Sequence, residues 1–254
     1  VEPPWRLLFC AFERTARAVS TYASTSIEGN PLPLTEVKKI LKNKPAHIRD
    51  SEKEVLNYNQ ALQDLNERLE EGKVKISLDL ILKIQKQVTQ GLLSPSDSGH
   101  LRQHPVVVND PRTGQPVFLP PDAKDVEPMM DELINFILEN KDKIDPLILA
   151  GVFHKQMVLI HPFMDGNGRT TRLATKVLLA QMNLNTFNLF SFENYYNKNV
   201  TRYFQSVGES GNYYELKEQI DFSTWLEYFT EGIIDEFLRV QKLLPEVGVS
   251  PNTQ

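Results

Sequence analysis

The sequence predicts an all-α protein carrying one small β-hairpin, and three observations lead to that reading. Apolar residues recur at helical spacing along most of the chain between residues 6 and 244. Residues that start and stop helices punctuate those runs: Thr35, Ser51 and Ser191 as starts, Gly29 and Gly72 as stops. One stretch alone, 106–119, sets two short extended runs around a dense turn signal, Asn109-Asp110-Pro111-Arg112-Thr113-Gly114.

Taken in order, residues 6–27 read as a helix whose apolar candidates are Leu7, Phe9, Cys10, Ala16, Val19, Tyr22 and Ala23. It ends at Glu28-Gly29-Asn30-Pro31, where Gly29 is a natural cap and Pro31 and Pro33 forbid continuation. Glu28 sits where its helix dipole disfavours a carboxylate, so a cationic partner is expected, and Ser24 lies on the same face four residues earlier. Thr35 opens a second helix over 36–41. Ser51 caps a longer one, with Glu54 in capping-box position and Val55, Tyr58, Leu62 and Leu65 on its apolar face. Residues 78–92 repeat the pattern. These helices build core and receive no chemistry.

The hairpin follows, with Val106, Val107 and Val108 in its first strand; His100 and His104 beside it read as surface residues. A helix through Met129, Leu133 and Ile137 comes next, then one over 146–160. His154 lies seven residues before His161; without an HExxH spacing it reads as a hydrogen-bonded core histidine rather than a metal ligand. Beyond residue 183, Ser191 starts a helix running to Val207, a loop covers 208–212, and a last helix runs from Asp221 to Leu244. Residues 245–254 read as a tail or linker.

With 254 residues, the chain has room for one large domain or a domain with an appendage. A net charge of −5 advertises no general affinity for nucleic acid. No apolar run approaches the ~18 residues of a membrane helix, and no signal peptide is recognisable. One cysteine, Cys10, excludes an internal disulfide and suits a reducing cytoplasm; its apolar neighbours suggest a buried thiol.

The densest chemistry lies in His161-Pro162-Phe163-Met164-Asp165-Gly166-Asn167-Gly168-Arg169-Thr170-Thr171-Arg172. Gly166 and Gly168 let the backbone turn sharply into a helix carrying Leu173, Val177 and Leu178. Successive N–H groups at a helix N-terminus cradle an anion. Arg169 and Arg172, three residues apart, can lean toward it as forked donors. Asp165 is a hard oxygen ligand of the kind Mg²⁺ takes alongside phosphate. His161 is a general base that titrates near neutrality. The set reads as a phosphate-handling site with its own base.

This run resembles the motif of the Fic family, HPFx(D/E)GNGRxxR, and all nine specified positions are filled. The resemblance spans roughly residues 23–244. It implies a helical bundle with a hairpin flap: N-terminal helices over 1–90, a core over 91–244 and a tail over 245–254. It further implies a cytoplasmic protein adenylyltransferase that moves AMP from ATP onto a Ser, Thr or Tyr hydroxyl, releasing pyrophosphate. In those terms His161 is the base, Gly166, Asn167, Gly168 and Arg169 hold the α- and β-phosphates, and Asp165 holds Mg²⁺. Ser24 to Gly29 resembles the family's inhibitory motif, (S/T)xxxE(G/N), in which Glu28 would pair with Arg172 and occupy the place of the ATP γ-phosphate. Val106, Val107 and Val108 would belong to a flap that clamps the protein target as an added strand. Tyr203 and Phe204 would lie near the adenine, although Phe at the second position and a longer following loop depart from the family. Self-modification and a homodimer stay open. So do two other readings: removal of AMP or another Fic-type transfer, and a locked module that binds without catalysis.

Overall fold

The computed structural model describes residues 4–110, 113–187 and 189–243, with side chains described over 11–110, 113–187 and 189–242. Cys10, expected as a buried thiol, Pro111 and Arg112 of the turn, and the tail beyond Leu243 lie outside the described side chains. The fold is all-α with one small sheet. Four helices come first: α1 (Pro4–Ile27), α2 (Leu34–Lys42), α3 (Asp50–Glu70) and α4 (Leu78–Val88). The strands β1 (Val108–Asn109) and β2 (Pro116–Leu119) follow. Then come α5 (Ala123–Asn140), α6 (Pro146–Ile160), α7 (Asn167–Gln181), α8 (Phe192–Lys198), α9 (Val200–Val207), β3 (Gly211–Asn212), α10 (Tyr213–Leu216) and α11 (Ser223–Leu243).

α7 is the axis of the bundle. It packs on α6, α4, α3 and α1 and is buried from Asn167 to Leu179, except for Gly168. Polar residues therefore enter the core and must find partners there. Thr175 Oγ1 donates to the Thr171 carbonyl at 2.7 Å. Lys176 is fully buried: its ammonium donates to the Thr186 and Phe190 carbonyls at 3.0 Å and lies 3.4 Å from the equally buried Glu193 carboxylate. α6 meets α11 closely: Trp225 Nε1 donates to the Gly151 carbonyl at 2.8 Å, and a Cβ on Gly151 would come within 2.6 Å of Leu226 Cδ2. One apolar core joins Ile27, Tyr58, Ile84, Phe153, Leu173 and Trp225 across the whole chain.

Several local expectations are corrected. The residue before α2 is Pro33, which has no side chain to cap with, so Thr35 lies inside the helix. α3 is closed by Glu52, whose carboxylate accepts from the Arg49 N–H at 2.9 Å; Ser51 lies within the helix, and Glu54 points elsewhere. α4 stops at Val88, not Leu92. The single helix read over 191–207 is two, broken at Asn199, whose φ of −144° is extended. Val106 and Val107 precede β1 rather than belonging to it. The hairpin also gains a third strand, because Gly211 and Asn212 pair in parallel with Phe118 and Leu119. β1 thereby becomes one edge of a β1-β2-β3 sheet.

Candidate active site

The motif turn is fixed from inside. α6 ends where His161 adopts a left-handed conformation, φ 49°, with its N–H on the Met157 carbonyl at 3.1 Å. Asn167 then ties the turn to itself: its Oδ1 accepts from the Phe163 N–H at 2.9 Å and its Nδ2 donates to the Phe163 carbonyl at 2.8 Å. That side chain is thus spent on the loop, and only the backbone of Asn167 is left for the phosphate role it was given. Gly166, at φ 81°, passes so close to α4 that a Cβ would lie 2.8 Å from Thr89 Cγ2. From α4, buried Gln85 donates to the Asp165 carbonyl at 3.1 Å.

Arg102, 2% exposed, clamps the turn from the other side. Its Nε donates to the His161 carbonyl at 2.8 Å, its Nη1 to the His104 carbonyl at 3.2 Å, and its Nη2 to the Ile160 and Pro121 carbonyls. The Arg102 N–H adds a bond to the Pro162 carbonyl at 2.9 Å. His161 is half-buried. Its Nδ1 is 3.3 Å from the Val158 carbonyl, which selects the tautomer with Nδ1–H and a lone pair on Nε2. Burial pushes its pKa down to about 4, against the pull of the Val158 carbonyl and the Glu28 and Asp165 carboxylates. The imidazole is therefore a neutral acceptor at pH 7.

The two motif arginines are held differently. Arg172 is fully buried. Its Nε donates to Ser24 Oγ at 2.7 Å, and its Nη2 to the Ser24 carbonyl at 2.8 Å and to Glu28 Oε1 at 2.6 Å. Burial opposes its charge, but Glu28 and the hydroxyls of Tyr203 and Tyr58 outweigh that and raise its pKa. Arg172 Nη1 is buried without a partner. The Glu28 carboxylate lies directly over Gly168, where a Cβ would collide with it and come within 2.9 Å of Arg172 Nη1. A carboxylate thus occupies the helix N-terminus where an anion is favoured. Arg169 Nη1 lies 2.8 Å from Glu54 Oε1 and Nη2 lies 2.9 Å from Asp165 Oδ2, while Nε is buried and unpartnered. Burial raises the Glu54 pKa, opposed by Arg169 and Asn30.

A cavity of about 830 Å³ opens over this arrangement, lined by Glu28, His161, Gly168 and Arg172 on one side and by Val108 and Phe118 of the sheet on the other. Tyr203 and Phe204 complete it from α9. Tyr203 is mainly a core residue: it stacks on Tyr196 with centroids 4.9 Å apart, and its hydroxyl is 3.1 Å from His154 Nε2. His154 is wholly buried, with Nδ1 3.0 Å from Thr175 Oγ1. Val106 and Val107 do not reach the cavity.

The donor set suits a nucleotide polyphosphate. The unpartnered Arg172 Nη1 and the start of α7 meet where Glu28 now lies, while Arg169 and Asp165 stand outside the cavity lining, Asp165 with a half-exposed carboxylate. Among the described residues no group of three or more His, Cys, Asp or Glu could hold a metal without help, so a divalent ion beside Asp165 would need phosphate oxygens. Four residues of this site carried no functional signal in the sequence: Gln85 and Arg102 stood in ordinary core and loop contexts, Glu54 read as a cap, and Asn30 as a turn.

Residues 75–179 match the Fic/DOC family. A Nematostella vectensis protein named protein adenylyltransferase Fic is 33% identical over 162 residues, covering 62% of this chain and 36% of its own length. The Drosophila virilis protein of the same name is 31% identical over the same length, with 32% of it covered. The chain thus spans about a third of these relatives. A Fic family protein from Desulfovibrio desulfuricans shares the fold at TM-score 0.76 and 23% identity, over 91% of this chain and 66% of that one. A Fic-domain protein from Bacteroides thetaiotaomicron does so at 0.73 and 18%, over 95% and 89%.

Proposed function

We propose, on the premise that residues 75–179 are a Fic domain, that this protein transfers AMP from ATP to a hydroxyl of a target protein, and that Glu28 restrains it. The observation that carries the reading is the pairing of a neutral His161 with an anion site at the start of α7, in one cavity. His161 Nε2 accepts the proton of the incoming Ser, Thr or Tyr hydroxyl as its oxygen attacks the α-phosphorus, and pyrophosphate leaves. The backbone at Gly166 to Gly168, with Arg169, holds the phosphates, and the reaction depends on positioning and charge neutralisation. Asp165 would hold Mg²⁺ with the phosphates, where the ion supplies charge neutralisation.

Glu28 supplies the restraint. It occupies one fork of Arg172 and the space over Gly168, and a carboxylate imitates a phosphate for such a fork. A third phosphate must displace it or settle elsewhere. The hairpin edge at β1 is the place for the target segment. One cysteine suits the cytoplasm.

Purified protein incubated with ATP labelled at the α- or the γ-phosphate, with and without a native lysate, tests the reading. Label passing to protein from the α position only is the expected result, and label on the chain itself would mark self-modification. Protein labelling from the γ position, or none even after Glu28→Gly, overturns the proposal. Asp165→Ala is expected to raise the Mg²⁺ concentration needed for half-maximal transfer; an unchanged requirement removes Asp165 from that role.

A further inference from the structure

Arg169 is the less exposed partner of both its ion pairs. Its side chain is 5% exposed, against 15% for Glu54 and 53% for Asp165. An arginine so buried needs a permanent counter-charge, because losing its partner would leave an uncompensated charge out of water. Asp165 is the exchangeable partner: it is exposed, and in the proposed reaction it turns to the metal. Glu54 is the one that stays.

Glu54 is also tied to the turn that carries Glu28. Its second oxygen, Oε2, accepts from Asn30 Nδ2 at 2.7 Å. Asn30 Nδ2 also donates to the Ser51 carbonyl at 2.9 Å, and Asn30 Oδ1 accepts from the Leu32 N–H at 3.1 Å. The Asn30 N–H closes the end of α1 on the Thr25 carbonyl at 3.1 Å. Every polar atom of this side chain is used, and together they fasten residues 28–32 to the start of α3. A continuous line of bonded groups thus runs from the Glu28 turn through Asn30 and Glu54 to Arg169, while Glu28 itself holds Arg172.

We propose that Glu54 is a positioning residue for Arg169, and that Asn30 links it to the Glu28 turn, so that the two motif arginines are set together. Glu54 takes Nη1 and fixes the plane of the guanidinium, leaving Nε and, once Asp165 turns away, Nη2 for phosphate oxygens. Displacement of Glu28 by a nucleotide moves the turn that carries Asn30, and the Asn30–Glu54 bond passes that movement to Arg169. The inference rests on the AMP-transfer reading for its mechanism, but its test reads nucleotide binding, which does not require transfer.

The test measures ATP and AMP affinity by calorimetry on purified full-length protein, in wild-type and Glu28→Gly backgrounds. Glu54→Gln keeps the shape and an acceptor for Asn30 but removes the charge. Its expected effect is at least about tenfold weaker ATP binding, the scale of one lost charge-assisted hydrogen bond. AMP, which offers Arg169 the α-phosphate alone, should lose several-fold less affinity than ATP, and a merely structural role would lower both alike. The tightening of ATP binding produced by Glu28→Gly should shrink when Asn30→Ser is added. Equal loss of ATP and AMP affinity in Glu54→Gln, or no loss of either, overturns the positioning role. An undiminished Glu28→Gly effect in the Asn30→Ser protein overturns the link. A protein that binds ATP with this pattern yet transfers no AMP sinks the proposed function and leaves this inference standing.

Discussion

The two sides of the cavity are built on opposite principles. The motif turn is held by side chains reaching from distant parts of the chain: buried Arg102 on the carbonyls around His161, buried Gln85 on Asp165, and buried Ser24 with the more exposed Glu28 on Arg172. The hairpin opposite is held by backbone pairing over a few residues and keeps Val107 and Leu119 almost half exposed. The first side is tied at several points by side-chain bonds, which suits the positioning that the proposed group transfer needs. In the second, β1 is the edge strand of the sheet, where the proposed reading seats the target segment. Substitutions should therefore affect chemistry on one side and target recognition on the other.

The largest expected effect is on the motif side. His161→Ala should lower AMP transfer by ~10²–10⁴, the usual contribution of a general base, and leave ATP binding unchanged because the imidazole contacts no phosphate in the proposed mechanism. Comparable labelling by the variant would remove His161 from its role. The pH dependence follows from burial. A base with its pKa lowered to about 4 stays neutral through the range in which an ordinary histidine takes up a proton. The transfer rate should thus hold through pH 6.5 and fall only below about 5. The same shift lowers stability as pH falls from 6.5 toward 4, where the unfolded chain binds the proton more readily than the folded one. A rate that halves near pH 6.5 contradicts this.

Arg102→Met comes next. It strands the carbonyls around His161 that the guanidinium serves, so stability should drop by about 2–4 kcal/mol, read by urea unfolding. Transfer should fall further than the unfolded fraction accounts for, because the His161 backbone loses its clamp. Transfer that follows the folded fraction would limit Arg102 to stability. Glu28→Gly has the opposite sign. Arg172 and the space over Gly168 come free, and transfer should rise about tenfold or more, the scale of a competing charge-assisted bond. Equal transfer and equal ATP affinity in variant and wild type would exclude restraint by Glu28. Loss of AMP removal together with the gain would show that Glu28 also serves a separate hydrolysis of the modified protein by orienting water.

Much of this asymmetry was legible in the sequence, and the reasons are local. Helices announce themselves by period, and the motif packs its chemistry into consecutive residues. Glu28 was readable as a carboxylate in need of a cation because a helix dipole is a local field. What stayed hidden depends on distance along the chain. Ser24 and Arg172 are 148 residues apart, and no spacing rule joins Glu54 to Arg169. Glu54 was misread as a cap because a carboxylate near a helix start ordinarily serves its own backbone; here Glu52 does so and frees Glu54. The third strand was missed for a similar reason: Gly211 and Asn212 pair with a hairpin about ninety residues earlier, and a two-residue strand has no period to read.

The smallest effect, and the one that tests the hairpin side, concerns Val107. It lies just before the β1 edge, 46% exposed and away from the cavity. No described core residue depends on it, so Val107→Lys should change stability by no more than about 0.5 kcal/mol. ATP affinity should not move either, because the phosphate site is built from the opposite side. Target recognition should move. A segment added along β1 would lay its side chains beside the residues flanking that edge, and a lysine there replaces apolar contact with a hydrated charge. Labelling of lysate proteins from α-labelled ATP should fall several-fold at unchanged ATP affinity. Using the Glu28→Gly background keeps the signal high and removes restraint as a variable. A matching loss of ATP affinity would mean that the hairpin belongs to the nucleotide site and that the two sides are not separable. Unchanged lysate labelling would mean that targets dock elsewhere and that the exposed valine has no part in their choice.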